Sequence, residues 1–200
     1  MPSIGLIITL YYPSKGIDIS LITLYLLPEM VKTQLLTLFI IFSCLAPGLS
    51  FVMLHKRKVI STIDMENQGE RSLPLIIMFI YCALLFMLFI YKDPDGYLPK
   101  YLMSLPLAGA IVMALFLLIN RWIKISMHAA GGGILVGYLC AYYLTQTTAP
   151  IWIIAMAIIA SGLTLSARLY LNKHKPIEVY SGWSLAFLVT FLCNWYYPFL

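Results

Sequence analysis

Three residues that together can handle a phosphate group stand within eleven residues near the end of the chain: Arg168, His174 and Glu178. An arginine binds anionic oxygens through a planar fork of donors, and a histidine can attack phosphorus or move a proton. A carboxylate four residues after the histidine can hold one imidazole nitrogen and leave the other free. The pattern predicts phosphoryl transfer. The alternative is a loop at a membrane surface whose charged side chains only extend toward water.

The composition indicates that a membrane surrounds these residues. Of the 200 residues, 62% are hydrophobic and 10% are charged, against about 45–50% and about 25% in soluble domains. The chain is therefore expected to be an integral membrane protein. The net charge of +5 comes from basic residues in short loops between apolar stretches, which favours lipid phosphates over nucleic acid as the partner.

Apolar stretches of roughly the length that a helix needs to cross a bilayer, about 20 residues, follow one another along the chain. Six spans are expected, over 33–54, 74–91, 102–120, 128–147, 150–167 and 179–197. The predicted fold is an all-α polytopic membrane protein, a six-helix transmembrane bundle in a single domain, 1–200. Prolines, a glycine and charges interrupt residues 1–30, so this part is expected to be an interfacial or re-entrant segment before the bundle of 31–200.

Small and rigid residues predict two local features of the spans. Pro47 and Gly48 are expected to bend the first helix. A glycine-rich face of the fourth span predicts close approach of another helix; its members are Gly131, Gly132, Gly133 and Gly137. The four cysteines all lie in apolar stretches without a CxxC pair, so neither a disulfide nor a metal site is predicted.

Alternation of six helices gathers most of the polar residues at one end of the bundle. Loops 55–73, 121–128 and 168–178 fall on one side, and loops 92–101 and 148–150 on the other. The first group holds all three histidines, His55, His128 and His174, and its cations include Arg71, Arg121, Lys124 and Arg168. The candidate site is therefore expected at that end, where the cations outside the site contact lipid headgroups.

The residues near the end of the chain resemble the third signature of the type 2 phosphatidic acid phosphatase family, which also includes the vanadium haloperoxidases. That signature reads Ser-Arg, five residues, His, three residues, Asp. Here Arg168, His174 and Glu178 stand at those spacings, with Ala167 at the place of the serine. The resemblance covers about residues 55–197.

The other two signatures of the family are matched less closely. The second, Pro-Ser-Gly-His, is similar to the run 125–128, which reads Ile-Ser-Met-His and stands at the start of a span. The first, Lys, six residues, Arg-Pro, is represented by Arg71, with Asp64 at the place of the lysine and Ser72 at that of the proline. A replacement for the missing lysine is therefore expected, and Lys124 is the best placed cation.

The resemblance implies a role for each of these residues. His174 attacks phosphorus to form a phosphohistidine, and Glu178 orients its ring. His128 protonates the leaving oxygen and later helps to activate water. The phosphate oxygens are expected to bind to four further residues: Arg71, Arg168, Lys124 and Ser126. Neither a metal nor another cofactor is required.

The activity implied is that of a membrane lipid phosphatase, a metal-independent hydrolase of phosphoric esters or diphosphates. Candidate substrates are phosphatidic acid, phosphatidylglycerol phosphate, undecaprenyl diphosphate and a phosphorylated lipid A. The family places its site on the extracytoplasmic side, here of a bacterial inner membrane, whereas the count of Lys and Arg favours the cytoplasm. The alternatives are a catalytically weakened member that only binds lipid phosphate, and a small transporter or scaffold whose charged loops set topology.

Overall fold

The computed structural model describes residues 2–15, 23–62, 68–93, 96, 98–147, 150–172 and 174–197. The regular structure in these residues is helical. In the described part of the chain the α-helices are α1 (Pro2–Tyr11), α2 (Glu29–Lys56), α3 (Ser72–Lys92), α4 (Lys100–Ile119), α5 (Met127–Tyr143), α6 (Ile151–Tyr170) and α7 (Pro176–Tyr196). A 3₁₀ turn, Gln68–Arg71, leads directly into α3.

Five of these helices, α2, α3, α4, α6 and α7, are long and apolar enough to cross a membrane. The prediction of an all-helical integral membrane protein is therefore confirmed. The fourth predicted span, 128–147, corresponds to α5, a helix of 17 residues that ends at Tyr143. The count of six crossings stays a prediction.

Helix α5 lies at the centre of the bundle because its glycines let two neighbours approach. A Cβ atom on Gly137 would lie 2.6 Å from the carbonyl oxygen of Phe187 in α7, and one on Gly133 would collide with the carbonyl oxygen of Trp183. Gly132 faces Ser161 of α6 in the same way. The predicted close approach at this glycine-rich face is confirmed, since a side chain would push the helices apart.

Hydroxyl pairs join α1, and Ser14 just after it, to the rest of the bundle. Thr9 and Tyr138, both fully buried, share a hydrogen bond of 2.9 Å between their hydroxyl oxygens. Ser14 and Tyr142 share another of 3.0 Å. At ten residues, α1 is about 15 Å long, half of an about 30 Å hydrocarbon core. Buried hydroxyls need partners, so these bonds fix α1 against α5.

A π-helical segment, Ile41–Leu45, interrupts α2. Pro47 follows it and has no N–H, and the proline ring would meet the carbonyl of residue 43 in a regular α-helix. The chain relieves this by widening, so that the N–H of Ala46 donates to the carbonyl of Ile41, five residues back. The irregularity expected at Pro47 and Gly48 thus lies on the N-terminal side of them.

Three loops meet at one end of the bundle, here called the charged end and made of residues 55–62, 68–71, 120–126, 171–172 and 174–178. Their contacts cross between loops: Gln68 with Asn120, Arg71 with Ile125, and Ser126 with Glu178. The predicted grouping of the three loops is confirmed.

Candidate active site

His174 and Glu178 form a pair at the start of α7. Lys175 is the N-cap and Glu178 is the third helical residue, so its carboxylate turns back toward the unpaired N–H groups of the first turn. Its Oε2 accepts from the backbone N–H of Lys175 at 3.2 Å and lies 2.9 Å from Nδ1 of His174. The His174 side chain is 6% exposed. The pair is therefore held by the cap of the helix.

The partner of Nδ1 determines which imidazole nitrogen is available. An ionised carboxylate only accepts hydrogen bonds, so we assign the proton of His174 to Nδ1. Nε2 then carries the lone pair. A nucleophilic histidine requires this tautomer.

Burial lowers the pKa of His174 below its ordinary value, and the nearby positive charges of Arg71 and Lys124 lower it further. The hydrogen bond and the negative charge of Glu178 act in the opposite direction, and the net pKa remains lowered. The ring is therefore neutral at pH 7, since the ordinary value is about 6.5. Two cations thus act electrostatically on the imidazole.

Arg71 is a buried cation, only 4% exposed, in the turn before α3. Its Nη1 donates to the backbone carbonyl of Ile125 at 2.7 Å, which fixes the guanidinium beside the start of α5. The charges of Glu178 and Arg168 both act on it. Arg71, Arg168 and Glu178 therefore share one electrostatic neighbourhood, although they come from three different segments.

The remaining cations lie at the margin of this group. Arg168 is half-buried in the last turn of α6. Lys124 is half-buried in the loop before α5 and acts on His174. With Arg71, they place three positive charges around one carboxylate and one neutral imidazole. This excess of positive charge suits an anion with several oxygens.

Ser126 links the start of α5 to the start of α7. Its backbone N–H donates to the carbonyl of Glu178 at 3.1 Å, and its side-chain oxygen accepts from the N–H of Ala129 at 3.4 Å as an N-cap. A Cβ atom on Gly182 would lie 3.0 Å from the carbonyl oxygen of Ser126, so a glycine there permits the contact. The observed bonds of Ser126 position the two helices, and its direct bond to phosphate stays a prediction.

His128 is the second residue of α5, and its side chain is exposed. It borders a cavity of about 410 Å³ whose lining is mostly apolar. The structure thus places His128 where the charged end meets the interior of the bundle. Its role as proton donor stays a prediction.

His55 lies apart from the pair, with Nδ1 3.3 Å from the carbonyl oxygen of Ile60 in a local turn. Arg121 is exposed at the end of α4. Asp64, which stands at the place of the family lysine, lies outside the described residues, as does Lys173. All three charged residues predicted for phosphate binding, Arg71, Arg168 and Lys124, are among the described residues, and their binding of phosphate stays a prediction.

Two contacts of the site could not have been found from residue types. The acceptor of Arg71 is a backbone carbonyl, that of Ile125, and the partner of Ser126 is the backbone of Glu178. Such groups carry no signal in a sequence. Gln68 and Asn120, which exchange two hydrogen bonds beside the site, could have been noticed as polar residues at the ends of spans.

The donor set of the site consists of one imidazole, one carboxylate and cations. Among the described residues, no group of three or more His, Cys, Asp or Glu side chains is arranged to hold a metal ion. In comparisons with known proteins, no family model, curated protein or solved structure matches this chain.

Proposed function

We propose that this protein is a membrane lipid phosphatase that hydrolyses a lipid phosphate monoester or diphosphate through a phosphohistidine on His174. The observation that carries the proposal is the bond between Nδ1 of His174 and Oε2 of Glu178, which leaves Nε2 as a nucleophile beside Arg71 and Lys124. The family resemblance of the three signatures supports the same assignment.

In the first step, Nε2 of His174 attacks phosphorus while the bond from phosphorus to the lipid oxygen breaks. His128 gives its proton to that oxygen, and the lipid leaves as an alcohol, or as a monophosphate when the substrate is a diphosphate. The imidazole becomes positively charged, and Glu178 stabilises it through the Nδ1 proton. Water then attacks phosphorus, His128 takes its proton, and inorganic phosphate leaves as the bond to Nε2 breaks.

The cations supply most of the stabilisation in this scheme. Phosphoryl transfer spreads negative charge over three oxygens, so catalysis depends on positioning and on charge. Arg71 is buried and held by the Ile125 carbonyl, and a fixed donor costs little reorganisation during reaction. Lys124 takes the place of the family lysine.

The substrate is proposed to be a lipid because the site lies at the end of an apolar helix bundle. Phosphatidic acid, phosphatidylglycerol phosphate, undecaprenyl diphosphate and phosphorylated lipid A all present phosphate at the surface of a bilayer. We propose that α5 completes a sixth crossing, that α1 enters only half of the bilayer, and that the charged end faces the extracytoplasmic side of a bacterial inner membrane.

The test is release of inorganic phosphate from these lipids by the purified protein, with and without a chelator. Wild type should release phosphate in both conditions, and His174→Ala should release none because no other group replaces the nucleophile. His55→Ala is the matched control and should keep full turnover. Near-normal turnover in His174→Ala would remove His174 from the mechanism.

A binding protein without hydrolysis is the second candidate, and the aspartate at position 64 favours it because it would repel phosphate where the family has a lysine. It predicts that lipid phosphate binds to wild type without release of phosphate. A transporter or scaffold predicts neither binding nor release. The same panel, with a binding measurement added, separates the three outcomes.

A further inference from the structure

A mostly apolar, partly enclosed cavity lies in the bundle next to His128 of the candidate site. Its volume is about 410 Å³, within the range of about 300–1,000 Å³ for sites that hold one small ligand. Helices α2, α3, α4 and α5 form most of its wall, and α1 and α6 contribute Pro2 and Thr164. We call it the chain cavity.

The hydroxyl groups that line the chain cavity already have hydrogen-bond partners within the bundle. The hydroxyl of Ser43 pairs with that of Ser3 at 2.9 Å, and that of Tyr81 pairs with Ser50 at 3.0 Å. Thr164 donates to the carbonyl of Ala160 in its own helix. A wall whose hydroxyls are already bonded favours hydrocarbon over a polar ligand.

The cavity continues the candidate site along two helices. Arg71, in the helical turn that leads into α3, is followed at seven and eleven residues by Met78 and Cys82 of α3, which line the cavity, and this helical spacing keeps all three on one face. On α5, His128 borders the cavity and is followed by Gly131 and Ile134 on the same wall. A molecule with its phosphate at Arg71 can therefore extend directly into the cavity.

On α2, α3 and α4 the lining residues furthest from the charged end are Phe39, Leu85 and Leu105, each 2% exposed, and we call these three the floor of the cavity. From Arg71 to Leu85 is fourteen residues, or about 21 Å of helix. The cavity therefore ends within an about 30 Å hydrocarbon core. Its floor sets a limit on what fits.

We propose that the chain cavity receives one hydrocarbon chain of the substrate, and that its floor, with the closely packed wall at Gly109 and Cys82, makes turnover depend on that chain. This inference rests on the proposed function and adds that the protein recognises the hydrocarbon chain of the substrate as well as its phosphate. A Cβ atom on Gly109 would lie 3.0 Å from Sγ of Cys82. A larger side chain at either position would fill the cavity without touching the phosphate site.

The test compares Gly109→Leu with Gly162→Leu, which changes a glycine of α6 that has nothing within 4 Å of its Cβ position. Each variant is assayed on a long-chain lipid phosphate and on p-nitrophenyl phosphate, which has no chain. Gly109→Leu should lower kcat/KM for the lipid by about tenfold or more and leave the aryl phosphate nearly unchanged, because displaced methylenes no longer contribute binding. Gly162→Leu should change neither. Cys82→Leu fills the same space from α3 and serves if Gly109→Leu does not fold.

A second measurement tests binding of the hydrocarbon chain in the cavity independently of hydrolysis. A lipid phosphate with a photoreactive diazirine in its chain should crosslink to 78–85 and 105–113 of wild type, and Gly109→Leu should reduce that labelling. Crosslinks there without phosphate release would uphold the cavity and overturn the proposed hydrolysis. Two outcomes would overturn the proposal that the cavity binds the chain. One is phosphate release with crosslinks only on the outer face of α6, and the other is an equal loss of kcat/KM for both substrates in Gly109→Leu.

Discussion

The backbone N–H of Ser126 donates to the carbonyl oxygen of Glu178 at 3.1 Å. This bond joins the first residue before α5 to the first turn of α7, and so the segment that carries His128 moves as one piece with the pair His174 and Glu178. Gly182, one turn further along α7, permits the contact. The proposed acid and nucleophile are therefore held by backbone.

Glu178→Gln should shift the acidic limb of the rate profile to lower pH. The carboxylate raises the pKa of His174 through its hydrogen bond and charge, so its neutralisation lowers that pKa further and the ring stays neutral in more acidic solution. The rate at the optimum should fall by about 10²-fold or more because the positive imidazole loses its counter-charge. A pH series of kcat/KM checks both, with Glu29→Gln at the other end of the bundle as the control. A shift toward higher pH would contradict the electrostatic role.

Lys124→Ala should shift the same limb in the opposite direction. Removal of a positive charge raises the pKa of His174, so more of the ring is protonated at a given acidic pH. Turnover should also fall by about 10²-fold or more, equivalent to roughly 2.7 kcal/mol of transition-state stabilisation. Lys173→Ala and Lys175→Ala should change turnover little. Lys124→Arg should retain only part of the wild-type turnover, since the planar guanidinium differs in shape from a compact ammonium. Equal, small effects of the three alanine variants would contradict the hypothesis that Lys124 replaces the family lysine.

Gly137→Ala should destabilise the folded protein in detergent. Its new methyl group would lie 2.6 Å from the carbonyl oxygen of Phe187, and backbone cannot yield as a side chain tip can. A loss of about 1–3 kcal/mol is expected from such overpacking. Gly162→Ala is the matched control, with open space at its Cβ position. Thermal unfolding of the two variants measures the difference, and equal midpoints would show that α5 and α7 are not in close contact.

Single cysteines in a background without native cysteines should report the side of the membrane. With the charged end outside, an impermeant reagent added to intact cells labels Val59→Cys and leaves Lys92→Cys protected. The cluster of Lys56, Arg57 and Lys58 favours the opposite orientation by the positive-inside rule. The reverse labelling pattern would place the charged end in the cytoplasm.

The parts of the site that depend on local chain geometry were predictable from the sequence. The pair His174 and Glu178 forms because a glutamate at the third position of a helix turns toward its cap, a relation of neighbours in sequence. That some helix approaches Gly133 and Gly137 closely follows from residue size, and the structure identifies that helix as α7. Alternation of the spans was enough to predict that Arg71 lies at the same end of the bundle as His174 and Glu178.

Contacts between helix faces were not predictable, because helices that are apolar all round do not indicate which face turns inward. Nothing in the sequence pairs Thr9 with Tyr138, or directs Trp183 Nε1 toward Ser161 Oγ, a hydrogen bond of 2.6 Å. The chain cavity depends on such pairings through Ser3 and Ser43. It could be found only from the assembled bundle.

The hydroxyl pairs that hold α1 have a consequence for biosynthesis. Thr9 and Ser14 find their partners 129 and 128 residues later in the chain. At a synthesis rate of about 5–20 residues per second, α1 is therefore made roughly 6 to 26 seconds before Tyr138 and Tyr142 exist. Helix α1 is thus synthesised well before α5, the helix it packs against, and of the hydrogen-bond partners that the structure describes for the Thr9 hydroxyl, only the carbonyl oxygens of Gly5 and Leu6 in its own helix exist until α5 is made.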